Sequence, residues 1–170
     1  MPPLPIEWGN AFARQARADL LAWEILLNAD HSLPSCQHLH FLQMPCEKLV
    51  KAHLCHSGSD PDDIQTSHAY IRKTLPIVLH DECRRSMNHR KIRALEATFR
   101  KFCTEIEYLS PSNTGDGSRL DNCEYPWLTG EKIRIPAEHS FWADELLKEP
   151  NGRTIIKTIR SAIDDFINDI

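Results

Sequence analysis

Basic side chains are concentrated in one stretch of this sequence, between Arg84 and Lys101. The stretch holds seven arginines and lysines against one acidic residue, Glu96, in a chain whose net charge is −4 at pH 7. Such a cluster could hold RNA phosphate or an acidic partner through charge-assisted hydrogen bonds. The alternative is a solvated helix face that binds nothing, which is common for exposed helix charges. The residues that we predict to contact nucleic acid are Arg85, Arg90, Arg93, Arg100 and Lys101.

Histidines offer a second candidate chemistry, the binding of a metal ion. His53 and His56 are three residues apart, which places them on one face of a helix, and Cys55 and His68 are near in sequence. His38 and His40 are two residues apart and would point about 200° from each other on a helix. Because the sequence has no HExxH segment and no CxxC pair, we predict neither a metal site nor another cofactor.

The remaining polar and aromatic residues give no further chemical motif. Glu105 and Glu107 are poorly aligned for an acid pair on a helix, and the chain has no glycine-rich phosphate loop. The tryptophans could line a ligand pocket, but large aromatics at helical spacing or beside a Tyr-Pro pair are mostly core and loop anchors. These residues are Trp8, Trp23, Trp127 and Trp142.

Apolar residues recur every three or four positions along most of the chain, which predicts amphipathic helices. The predicted helices cover residues 11–29, 35–57, 66–79, 86–109, 140–147 and 153–168. Their expected N-caps are Asn10, Thr66 or Ser67, Ser86, and Asn151. Pro45 interrupts an apolar stripe that stays in phase on both sides of it, so we expect a kink and not a break. Residues 132–135 could form a brief extended segment.

These elements predict an all-α fold, an antiparallel up-down helical bundle of four to five main helices plus short helices. The 170 residues fit a single domain over 1–170, with an extended lead-in at 1–9 and a long loop at 110–136. The acidic net charge argues against a protein that coats nucleic acid through bulk charge. Without a secretory leader pattern or some 18 consecutive apolar residues, a cytoplasmic protein with reduced cysteines is expected.

Four segments in the expected order resemble the HEPN superfamily, helical domains often encoded beside minimal nucleotidyltransferases and in toxin–antitoxin or defence loci. The segments are ARQARADLLAWEILL (Ala13–Leu27), HLHFLQMPCEKLVKAHL (His38–Leu54), SHAYIRKTLPIVL (Ser67–Leu79) and EYPW (Glu124–Trp127). The resemblance implies a helical bundle, a homodimer, and an antitoxin or nucleotidyltransferase partner. Within the second segment, Glu47 and Lys51 are one helical turn apart. We expect them to pair on the exposed face for about 0.3–0.5 kcal/mol.

Many HEPN domains are metal-independent ribonucleases whose motif is an arginine, four to six residues, then a histidine. Arg84 and His89, in RRSMNH, are similar to that motif. The resemblance implies in-line attack of the RNA 2′-hydroxyl on the adjacent phosphate, with His89 moving a proton and Arg84 stabilising the phosphoryl oxygens. On one continuous helix the two side chains would lie about 140° apart, so a break is needed, and Ser86 as an N-cap would supply it. Glu124 departs from the arginine common before Tyr-Pro in one branch of the family, and a carboxylate there would repel phosphate.

The leading interpretation is therefore a non-catalytic HEPN-like module that binds RNA, a nucleotide or a partner protein, of toxin–antitoxin or defence type. The alternative is a metal-independent endoribonuclease that uses Arg84 and His89. A structural partner that contacts no nucleic acid is a third interpretation. No membrane association is expected from this composition.

Overall fold

Seven helices account for most of the residues that the computed structural model describes, which are 3–29, 33–111 and 119–169. The helices are α1 (Pro5–Ala29), α2 (Ser35–His56), α3 (Pro61–Ile64), α4 (Ile71–Ser86), α5 (His89–Tyr108), α6 (Trp142–Lys148) and α7 (Pro150–Asn168). Two short strands, β1 (Trp127–Thr129) and β2 (Lys132–Arg134), form the sheet of these ranges. The predicted all-α helical bundle is confirmed. Within the described part of the chain, no helix is long and apolar enough to cross a membrane.

The long helices pack in antiparallel pairs around one apolar core. Gly9, near the start of α1, lies against Cys55 and His56 at the end of α2. Arg72 at the start of α4 contacts Tyr108 at the end of α5. The apolar stripes of these helices are buried as their spacing predicts, and fully buried members include Leu39, Leu42, Leu49, Leu75, Leu79, Phe99, Phe102, Ile106, Ile155 and Ile159.

The start of α1 corrects the predicted lead-in at 1–9 and the predicted cap at Asn10. The helix begins at Pro5, whose fixed φ angle suits the first helical position and whose missing N–H is not needed there. Glu7 accepts a hydrogen bond from the Leu4 backbone N–H at 2.7 Å, which is the carboxylate half of a capping box. Asn10 is therefore inside the helix.

The chain between α2 and α4 runs back along α2. Lys51 Nζ donates to the Gln65 carbonyl at 2.8 Å, and His68 Nδ1 lies 2.8 Å from Glu47 Oε2, so later residues meet earlier turns of α2. The predicted loop here contains the one-turn helix α3, which Asp60 caps through the Asp62 N–H. Because of this return, α4 begins at Ile71 and not at residues 66–67.

Two polar side chains from other helices satisfy the ends of α4 and α5. Tyr70 precedes α4 and provides no side-chain cap, but Glu107 Oε2 accepts from the backbone N–H groups of Tyr70 and Arg72 at 3.0 and 2.8 Å. Gln43 Nε2 donates to the carbonyls of Ile106 and Glu107, near the end of α5. These bonds satisfy orphan groups of both helices and fix how α2, α4 and α5 meet.

The predicted long loop at 110–136 contains an ordered hairpin. Residues 112–118 are outside the described ranges. Strands β1 and β2 pair antiparallel across a two-residue loop in which Gly130 has φ +60°, the left-handed geometry that such turns require. The extended segment predicted from Lys132 is thus paired, and Trp127 packs edge-on against His139 at 5.1 Å. Tyr125 is 61% exposed and does not anchor the segment as Trp127 does.

Helices α6 and α7 meet at an abrupt corner with Glu149 between them. The predicted cap, Asn151, is wrong, because α7 already begins at Pro150. Gly152 is buried in this corner, and a Cβ atom on it would lie 2.1 Å from the Leu146 carbonyl oxygen. A side chain at this position is therefore excluded without movement of the backbone.

Candidate functional site

The break between α4 and α5 places several basic residues at one corner of the molecule. Helix α4 ends at Ser86, Met87 and Asn88 are extended, and α5 begins at His89. The predicted break is confirmed, but Ser86 is not its cap. Asn88 caps α5 by accepting from the Lys91 N–H at 3.0 Å. An asparagine directly before a basic, amphipathic stretch is the signal that would have identified this cap.

Five residues around the break form what we call the basic corner. All five are exposed: Arg84, His89, Arg90, Lys91 and Arg93. His89, Arg90 and Arg93 line a shallow open depression. Across the described ranges, no carboxylate forms an ion pair with any residue of the corner. The start of α5 adds the positive end of a twenty-residue helix dipole to these charges. The corner can therefore bind anions such as phosphate.

Arg84 and His89 lie on opposite sides of the break. Arg84 is in the last turn of α4, and His89 is the first residue of α5. Within the described residues no hydrogen bond or ion pair joins the two side chains, and Arg84 is not among the residues that line the depression at His89. Both side chains are exposed, so an approaching phosphate could reach each of them.

The other predicted binding residues have different surroundings. Arg85 faces α7, where its Nη1 lies 2.8 Å from Asp165, and the same nitrogen lies 3.6 Å from Glu82 on α4. Arg100 pairs with Glu96 one turn away at 3.1 Å. Lys101 lies over the ring of Trp142, 3.9 Å from its centroid. The charges of Arg85 and Arg100 are thus partly offset, which distinguishes both residues from the basic corner.

Glu47 and Lys51 do not pair on an exposed face as predicted. Both are buried, with 2.7 Å between Lys51 Nζ and Glu47 Oε1, and His68 approaches the second carboxylate oxygen. The reason is that the returning segment covers this face of α2. Burial raises the pKa of Glu47, but the hydrogen bonds from Lys51 and His68 outweigh burial and hold the pKa below its ordinary value. This group has a structural role in the fold.

A cleft of about 590 Å³ lies between α2, α4 and α7, and we call it the acidic cleft. Its carboxylates are Asp81, Glu82, Asp165 and Asp169. His53 and His56, the histidines considered for metal, both line it and contact the ring of Phe166. Within the described residues, however, no group of three or more His, Cys, Asp or Glu side chains is arranged to hold a metal ion.

Burial controls the protonation of His53 in this cleft. Removal from water lowers the pKa of His53 to about 4, and nearby His56 acts in the same direction. His53 is therefore neutral at pH 7, although Asp81 favours the charged form. A neutral imidazole beside Phe166 is consistent with a packing role.

The EYPW segment leads into β1, whose first residue is Trp127, and is largely exposed. Asn122 is buried and accepts from the backbone N–H groups of Glu124 and Tyr125 at 2.8 and 2.7 Å, which fixes the turn that leads into the segment. Glu124 itself is exposed.

Comparisons with protein-family models, curated proteins and solved structures give no match to this chain.

Proposed function

We propose that this protein is an HEPN-like helical module that binds RNA at the basic corner. The observation that supports this proposal is the concentration of exposed cations there without carboxylate partners in the described ranges. Arginines in this state lose no ion pair when phosphate binds, and their planar guanidinium groups can donate two hydrogen bonds to one phosphate. An RNA strand carries one phosphate per nucleotide, so the separate cations of the basic corner could contact successive phosphates of one strand.

Binding of RNA is tested with a fluorescently labelled single strand and a labelled hairpin, followed by anisotropy at several salt concentrations. The double variant R90E/R93E reverses two charges in the corner, so we expect its Kd to rise at least about tenfold. The control K132E/R134E makes the same charge change on the exposed hairpin and should bind like the unmodified protein. Equal losses in both variants, or no salt-dependent binding at all, would contradict the proposal.

A metal-independent endoribonuclease remains the second proposed activity, and its support is the exposure of both Arg84 and His89 beside the helix break. In that reaction His89 would accept the 2′-hydroxyl proton while the oxygen attacks the neighbouring phosphorus, and Arg84 would stabilise the developing charge. The bond from phosphorus to the 5′-oxygen of the next nucleotide would break, which leaves a 2′,3′-cyclic phosphate and a 5′-hydroxyl that takes its proton from water. The same RNAs are incubated without metal and analysed for fragments. Cleavage that is lost in His89→Ala and kept in His56→Ala would establish the activity. Binding without cleavage would contradict the ribonuclease and support only the non-catalytic binding module.

The resemblance extends the proposal to assembly, as a homodimer and with an antitoxin or nucleotidyltransferase partner in a toxin–antitoxin or defence system. Light scattering during gel filtration measures the mass of the particle, which can be compared with the 19.6 kDa of one chain. A mass of one chain at all concentrations would contradict the homodimer. Co-purification with the products of neighbouring genes tests the partner.

A further inference from the structure

A cleft of about 630 Å³ opens between α1, α2, α6 and α7 and shares no lining residue with the basic corner. Its apolar wall consists of Trp23 and Leu27 from α1, Leu147 from α6 and Ile156 from α7. We call it the amphipathic cleft because charged side chains complete its lining. Sites for small organic ligands in proteins commonly measure about 300–1,000 Å³ and combine an apolar wall with a few polar groups. This cleft has both properties.

The charges of the amphipathic cleft do not cancel. Its two carboxylates already have cationic partners, since Glu24 pairs with Arg160 and Asp144 lies 2.9 Å from Lys148. Lys157 lines the cleft and forms no ion pair with the described residues. Arg153 is one turn before it on α7 and donates from Nη1 to the Lys148 carbonyl at 3.0 Å, so its charge is also uncompensated within those ranges. An anion is the occupant that two such neighbouring cations favour.

Two buried ring nitrogens belong to residues that line this cleft. Trp23 is 4% exposed, and neither its Nε1 nor His38 Nδ1 has a hydrogen-bond partner in the described part of the chain. An indole N–H is a donor only, and leaving it buried without an acceptor is costly. A ligand would remove that cost if its entry brought an acceptor atom within reach of the nitrogen.

We infer that the amphipathic cleft binds a small amphipathic anion, with an apolar body against Trp23, Leu27 and Ile156 and a carboxylate or phosphate held by Arg153 and Lys157. The size of the cleft fits a ring system or a branched chain and not a polymer. The inference is independent of the proposed RNA site, because the two involve different helices and different side chains. The basic corner is open and charged, whereas the proposed small-molecule site is concave and partly apolar.

The experiment uses two naphthalene probes of nearly the same shape, the anionic 1-anilinonaphthalene-8-sulfonate and the neutral N-phenyl-1-naphthylamine. Titration of the unmodified protein should give saturable binding of the sulfonate at one site per chain, with quenching of Trp23 fluorescence relative to Trp23→Phe. The double variant R153Q/K157Q should raise the Kd of the sulfonate at least tenfold and change that of the neutral probe less than twofold. Leu27→Gln, at a side chain that is 41% exposed, should weaken both probes.

The control K132Q/R134Q removes two exposed cations elsewhere and should leave both affinities unchanged. Competition by 1-naphthoate and by 1-naphthyl phosphate then identifies the preferred anionic group. Binding at several sites per chain, or equal loss for both probes in R153Q/K157Q, would overturn the inference. RNA binding measured on the same variants separates the two proposals, since R153Q/K157Q should weaken the sulfonate but leave RNA binding at the level of the unmodified protein.

Discussion

Glu107 is a buried carboxylate that acts at the end of a helix to which it does not belong. It is 3% exposed, yet its Oε2 accepts from two backbone N–H groups at the start of α4, and its Oε1 lies 3.3 Å from Arg72 Nε. The negative charge also faces the positive end of the α4 dipole. A charge in the core is thus compensated by hydrogen bonds, as burial requires.

Replacing Glu107 should therefore destabilise the fold more than replacing an exposed glutamate. We expect Glu107→Gln to lower the free energy of unfolding by about 1–3 kcal/mol, because the amide keeps the shape but loses the charge and one acceptor. Glu96→Gln removes an exposed pair with Arg100 and should cost less than about 0.5 kcal/mol. Urea denaturation followed by circular dichroism measures both, and equal effects would contradict the capping role.

His53 should make the stability of the protein depend on pH in mildly acidic solution. The pKa of His53 is about 4 in the folded protein and 6.5 in the unfolded chain. Between pH 4 and pH 6.5 the unfolded chain therefore binds more protons than the folded protein. The contribution of His53 to stability is therefore present above pH 6.5 and is lost as the pH falls. From pH 7 to pH 5 the loss should be about 2 kcal/mol.

Urea denaturation of His53→Gln over the same range isolates this contribution, because the difference between variant and unmodified protein cancels the other titrating groups. The variant should show a weaker dependence on pH, whereas His89→Gln, at an exposed position, should retain the full dependence. Identical slopes for His53→Gln and the unmodified protein would show that His53 is solvated.

At the scale of the element, the corner between α6 and α7 depends on a missing side chain. Leu146 and Leu147 approach α7 so closely that the position of Gly152 has no room for a methyl group. The φ angle of Gly152 is not positive, so the backbone conformation does not require glycine. Glycine is required because the Leu146 backbone approaches this position so closely. The corner in turn orients the face of α7 that lines the amphipathic cleft.

Gly152→Ala should accordingly be among the most destabilising single substitutions in this chain. Relieving a 2.1 Å contact with the Leu146 carbonyl requires a shift of one helix against the other, for which we expect about 3 kcal/mol or more. Asn151→Ala, on the exposed neighbour, should change stability by less than about 0.5 kcal/mol. Thermal and urea unfolding compare the two, and a mild effect at Gly152 would mean that the corner can open.

The sequence predicts the middles of helices far better than their ends. The stripe of Ile92, Leu95 and Phe99 is buried as its spacing indicates, because helical period and burial are linked locally. The ends of helices depend on which of several nearby residues provides the cap. Helix α1 begins at Pro5, with Glu7 as the capping carboxylate, and not after Asn10. The cap on α4 could not be predicted at all, since it comes from Glu107 on another helix.

Over the molecule as a whole, charge is distributed unevenly, with the exposed cations of the basic corner at one place and a lining rich in carboxylates at another. The basic corner lies at the start of α5, the acidic cleft lies between α2, α4 and α7, and the amphipathic cleft is lined by α1, α2, α6 and α7. A net charge of −4 averages over these surfaces. It therefore does not decide whether the molecule can bind phosphate at one place.

Contacts between distant parts of the chain also limit what the sequence reveals about sites. The basic stretch is visible because its members are neighbours in the chain, but the partner of Arg85 is Asp165, eighty residues away. Likewise the amphipathic cleft combines Trp23, His38 and Lys157 from distant segments, so no local motif marks it. The candidate cations can be read from the sequence, but packing decides which of them have a carboxylate partner.

The six cysteines give the molecule a built-in reporter of its own opening. All six are buried as free thiols, and burial raises the pKa of Cys46 to about 12. Because only an accessible thiolate is alkylated quickly, the folded chain resists reagents such as iodoacetamide. Each unfolding event exposes the thiols to water, where their pKa returns to the ordinary value and they are alkylated. The mass that the protein gains over time therefore reports how often it unfolds, without any engineered probe.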